Sequence, residues 1–121
     1  LLGLQKQSQE TGGGDETEIK TLPYHYTQQS GQYQVAGWRL PKQWCFDFYA
    51  LLDVLTDLQG WLRIKAIFNT DQGWHNFNFN PQRFNYQSQG ENTDNRIEII
   101  SQSTLDWAAI ESALFACRND I

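Results

Sequence analysis

The chain has 121 residues, a formal net charge of −5 and 40% hydrophobic content, including five Trp, five Tyr and seven Phe. That is enough apolar mass for one folded domain with some length to spare. The acidic balance argues against a nucleic-acid binder, which would carry a basic stripe. No apolar run approaches the roughly 20 residues of a membrane span, and no signal-peptide pattern opens the chain. The sequence contains no Met, so the initiator is missing; a fragment of a longer protein is the favoured reading, ahead of a processed chain.

Residues 1–30 differ in composition from the rest of the chain. Gln5 to Thr21 is rich in Gln, Gly, Thr and Glu, with the run Gly12-Gly13-Gly14 and Ile19 as its apolar residue. Such a stretch cannot bury enough surface to offset its ordering entropy. It is expected to be a flexible linker or inter-domain connector, with the acidic residues Asp15, Glu16 and Glu18 solvated. Tyr24-His25-Tyr26 could form a short extended piece before Ser30-Gly31. Residues 31–121 are the expected domain.

Tyr33 to Leu40 reads as a first strand that Pro41 ends. Residues 44–58 read as a helix, because Phe48, Leu51, Leu52, Leu55 and Leu58 recur on one stripe. Four strands are then expected: 61–68, 74–80, 83–87 and 96–100. Asn69-Thr70-Asp71-Gln72-Gly73 supplies turn chemistry between the first two. The last helix is expected over 105–118, capped by Ser103 or Thr104, with Trp107, Ile110, Leu114 and Cys117 inward. The order β-α-β-β-β-β-α predicts an α+β domain: a two-layer fold with a largely antiparallel sheet of about five strands and two helices on one face. The crossover through the first helix is long enough for a parallel pair.

Cys45 and Cys117 lie far apart in sequence and inside the expected helices. Two buried free thiols in a reducing cytoplasm are favoured over a disulfide or a metal pair. There is no phosphate-binding glycine loop, no C-x-x-C and no H-E-x-x-H. Asp53 and Asp57 sit on a solvated helix face without a partner base. His75 is expected to be a partly buried strand residue on the Phe77 side.

Strict alternation places Leu62, Ile64, Ala66, Phe68, Phe77, Phe79, Phe84, Tyr86, Ile97 and Ile99 toward the helices. The opposite face then takes Trp61, Arg63, Lys65, Ile67, Trp74, Asn76, Asn78, Arg83, Asn85, Arg96 and Glu98. Such a face can meet water, dock on a protein or hold a small ligand. Trp and Arg are enriched at interfaces, so Trp61, Arg63, Lys65, Trp74 and Arg96 are the candidate partner-binding residues. No catalytic or metal-binding residue is expected.

Trp38-Arg39-Leu40-Pro41, Leu62-Arg63-Ile64-Lys65-Ala66, Asp71-Gln72-Gly73-Trp74, Arg96-Ile97-Glu98-Ile99-Ile100 and Leu114-Phe115-Ala116-Cys117 occur in an order that resembles the C-terminal domain of CobW-type P-loop GTPases. The resemblance spans roughly residues 33–118. Ala66 stands where that family usually has Gly, and Ser101 where a Gly commonly ends the late strand. The resemblance implies a cytoplasmic, non-catalytic accessory domain of a protein of metal delivery or cobalamin synthesis. It implies GTP, Mg and a transition metal such as Zn or Co for the parent protein, and no cofactor in this chain. It also implies the N-terminal GTPase domain of the same polypeptide as partner, with a client metalloprotein possible, and neither nucleic acid nor membrane. The alternative is a stand-alone peptide- or glycan-binding module that uses an aromatic sheet face.

Overall fold

The structure, a computed structural model, describes residues 21–121. It contains a six-stranded antiparallel sheet and two helices. The strands are β1 (Tyr24–Ser30), β2 (Tyr33–Leu40), β3 (Trp61–Thr70), β4 (Gly73–Asn80), β5 (Arg83–Ser88) and β6 (Asn95–Ser101). The helices are α1 (Phe48–Asp57) and α2 (Trp107–Phe115). The α+β expectation holds, with one strand more than expected. The expected mobility of residues 5–20 lies outside the described residues. The extended piece expected at Tyr24-His25-Tyr26 is the start of β1, which runs on to Ser30 and pairs along its length with β2.

The spatial order is β1-β2-β6-β3-β4-β5. The crossover through α1 does not make the parallel pair that its length allowed. β2 and β3 do run the same way, but β6 lies between them and pairs antiparallel with both.

Alternation puts one parity of each strand under the helices. Trp38, Leu40, Ile64, Ala66, Phe68, Phe77, Phe79, Ile97 and Ile99 form the core with Phe48, Leu51 and Leu55 of α1 and Ile110 and Leu114 of α2. Both helices are shorter than expected because their ends are tied elsewhere. Asp47 caps α1, accepting from the Ala50 amide at 2.8 Å. Asp106, not Ser103 or Thr104, caps α2, accepting from the Ala109 amide at 3.0 Å.

The segment before α1 is pinned as extended chain. Phe46 bridges Thr70 on one side and Arg118 on the other. Cys45 and Cys117 therefore flank the helices instead of lying in them, as free thiols. Burial, with Asp71 and Asp120 nearby for Cys45 and Asp47 and Asp53 for Cys117, pushes both thiols up. Buried Asn95 holds the same segment: it accepts from the Asn69 amide at 2.6 Å and donates to the carbonyls of Pro41 at 2.8 Å and Trp44 at 3.1 Å. His75 lies beside Phe77 on the helix side, half-buried, 4.8 Å from the Phe48 ring.

Two assignments made from strict alternation are reversed. Trp61 is 7% exposed and belongs to the core, whereas Leu62 is 37% exposed. The cause is a register shift in the pairing of β3 with β6: Trp61 opposes Ser101 and Arg63 opposes Ile100. The extra residue inverts the facing of everything before it. The Trp61 ring packs 6.5 Å from that of Phe79, and its Nε1 donates to the Leu58 carbonyl at 2.9 Å. Phe84 and Tyr86 keep the expected side but stay 47% and 44% exposed, because β5 is the last strand of the sheet.

Candidate functional site

The face that the helices leave uncovered is built in rungs. One rung runs Tyr26, Gly37, Glu98, Lys65, Asn78 and Asn85 across β1, β2, β6, β3, β4 and β5. The next runs Tyr24, Arg39, Arg96, Ile67, Asn76 and Gln87. Part of this face is concave, with a volume of about 480 Å³ lined by Tyr26, Arg39, Lys65, Asn78, Arg96 and Glu98 among others.

Charge is sorted on this surface. The strands contain five cations, Arg39, Arg63, Lys65, Arg83 and Arg96, and all five fall on the uncovered face. The strands contain a single acidic residue, Glu98, on the same face. Tyr26 donates to Glu98 Oε2 at 2.8 Å. Burial, and then the Glu98 charge, push the Tyr26 hydroxyl well above the usual tyrosine range.

Two of the cations are held from beneath. Asp94 is 2% exposed. Its Oδ2 accepts from Arg39 Nε at 2.7 Å and its Oδ1 from Arg96 Nε at 2.8 Å. A buried carboxylate between two guanidinium groups fixes their stems while leaving their outer edges to solvent. Arg63, Lys65 and Arg83 form no ion pair with a described residue.

Of the five candidate partner-binding residues, Lys65 and Arg96 line the concavity, Arg63 lies further along β3 on the same face, and Trp74 lies half-buried on it next to Asn69 on β3. Trp61 does not join them. Sequence reasoning missed Tyr26, Arg39 and Asp94. Arg39 on the open parity of β2 was open to detection by alternation. Asp94 carried no signal, since it closes a polar loop.

Among the described residues no three of His, Cys, Asp and Glu gather as a metal-binding group. No helix among them is long and apolar enough to cross a membrane.

The family model for the cobalamin synthesis protein CobW C-terminal domain matches residues 35–118, most of the described chain. The chain belongs to that family. It is also similar to the zinc chaperone YeiR of Escherichia coli (strain K12), 33% identical over 91 residues. The match takes in 74% of this chain and 27% of that protein, so the chain spans about a quarter of its relative's length. No solved structure gives a significant match. The CobW family match begins at Val35, so β1, which supplies Tyr26 and Tyr24 to the open face, precedes it.

Proposed function

We propose that this CobW C-terminal domain is the non-catalytic accessory part of a GTP-dependent metal-delivery protein. It docks through its open sheet face on an acidic surface of the N-terminal GTPase domain of the same polypeptide. In that parent, GTP and Mg would serve the N-terminal domain. A transition metal, zinc by analogy with the named chaperone, would be cargo passed to a client metalloprotein in a reducing cytoplasm.

The observation that carries this reading is the charge sorting. A chain with a net charge of −5 places all five strand cations on one uncovered face. Burial cost alone keeps cations off the core face, and Asp94 ties down two of them. Arg63, Lys65 and Arg83 remain without an ion pair to a described residue, and complementary charge on a partner would be steered and oriented by them. Arg63 and Lys65 are the contact residues, Arg39 and Arg96 the oriented flank, and Trp74 the apolar margin. The aromatic-module alternative is weakened because Trp61 is in the core.

The test is a titration of this chain against the separately produced N-terminal domain at low and high salt. Binding that weakens steeply as salt rises supports docking through exposed charges. Binding indifferent to salt, or none at low salt, removes it.

A further inference from the structure

We propose that this chain self-associates through the outer edge of β5, which no described strand pairs, two copies pairing antiparallel about Asn85 to form one continuous sheet. The inference is independent of the open-face reading, because it uses the rim of the sheet.

β5 is the terminal strand of the sheet, and all six of its residues are exposed. Its backbone parity is set by its neighbour. The Gln89 amide donates to the Trp74 carbonyl at 3.0 Å. Bonded and non-bonded pairs alternate along an antiparallel ladder, so Gln87, Asn85 and Arg83 turn their backbone groups to β4. Phe84 and Tyr86 turn theirs outward, where no described strand receives them.

The edge also lacks the devices that keep such strands apart. Within β5 there is no Pro, no Lys and no bulge in its pairing with β4. Its one charge, Arg83, is at an end. An edge of this kind is a template for another strand.

The strand is its own complement. Arg83-Phe84-Asn85-Tyr86-Gln87 reads polar, aromatic, Asn, aromatic, polar from either end. Antiparallel pairing centred on Asn85 sets Phe84 opposite Tyr86 of the second copy, twice, with both pairs bonded through their outward backbone groups. On the helix side, two aromatics now 47% and 44% exposed would cover each other. On the other side Arg83 meets Gln87, so no like charges oppose. A two-fold contact of this kind closes on itself and stops at the dimer.

The experiment uses Asn85→Cys in a chain whose own thiols are removed by Cys45→Ser and Cys117→Ser. Asn85 opposes itself in a non-bonded pair, for which Cα atoms stand about 4.5 Å apart, within the reach of a disulfide. With diamide as oxidant, two thiols lose two protons and two electrons to it and form one S–S bond. A covalent dimer is expected from Asn85→Cys and not from Gln87→Cys, which opposes Arg83. In sedimentation the unaltered chain should shift from monomer to dimer as concentration rises. Tyr86→Pro removes one outward amide without a β4 bond and should stay monomeric while retaining its circular-dichroism spectrum. A chain that sediments as a monomer throughout, or equal crosslinking at positions 85 and 87, overturns the proposal.

Discussion

The ring of Tyr26 occupies the space that a side chain at position 37 would take. A Cβ on Gly37 would stand 2.2 Å from Tyr26 Cζ. The glycine on β2 lets the ring from β1 lie across it, so that its hydroxyl reaches Glu98 on β6, two strands away. Three strands are joined by one side chain.

Gly37→Ala should push that ring out and break the Glu98 bond, at a cost of about 1–3 kcal/mol. A pH dependence accompanies this contact. Because the folded state holds the Tyr26 proton more tightly than the unfolded chain does, the unfolded state binds fewer protons above the ordinary tyrosine pKa of about 10. This contribution to stability is therefore present below about pH 10 and declines as pH rises beyond it. Urea midpoints measured from neutral pH to pH 11 should fall more steeply for the unaltered chain than for Tyr26→Phe. Parallel curves would remove Tyr26 as the source.

The bulge at the start of β3 sets opposite expectations for adjacent residues. Trp61→Ala should cost about 3–5 kcal/mol, since it empties a packed site between Phe79 and the end of α1. Leu62→Ala should stay within about 1 kcal/mol, because the side chain is 37% exposed. Denaturant unfolding of the two variants reads this directly. The reverse order would put the bulge in the wrong place.

These two residues also show where sequence reasoning reaches. Periodicity located both helices and five strands, because burial on one side leaves a pattern of two or of about 3.6 residues. A bulge leaves no such trace: one extra residue inverts the facing of Trp61 and Leu62 while the letters stay the same. The continuation of β1 beyond Tyr24-His25-Tyr26 was hidden for another reason. Thr27, Gln28, Gln29 and Ser30 are all exposed, so this end is a strand by its backbone pairing with β2 and not by side-chain burial. Asp94 was illegible because its meaning lies in Arg39, 55 residues away, brought alongside by a strand order that local pattern does not encode.

Asp94→Asn should loosen two surface arginines at once. The carboxylate is buried while the side chains of Arg39 and Arg96 are 38% and 44% exposed. The loss should therefore be about 2–3 kcal/mol, in the range of hydrogen bonds to charged groups and below the cost of breaking a fully buried pair. Thermal unfolding measures the loss. Arg39→Ala and Arg96→Ala combined with Asp94→Asn should show less than additive effects, because the three share one network. Additivity would show that the two contacts act separately.

The central claim, that the open face docks on the parent GTPase domain, is tested most directly by Arg63→Ala/Lys65→Ala. Neither residue forms an ion pair with a described residue, and both are exposed. The pair should alter folding stability by no more than about 0.5 kcal/mol each. Affinity for the N-terminal domain supplied in trans should fall by about 1–3 kcal/mol if they are contact residues. The measurement is calorimetric titration of the unaltered and doubly substituted chains at one salt concentration, beside their unfolding curves. Weakened binding with unchanged unfolding is the predicted result. Unchanged binding would contradict the account and leave the cationic face to solvent.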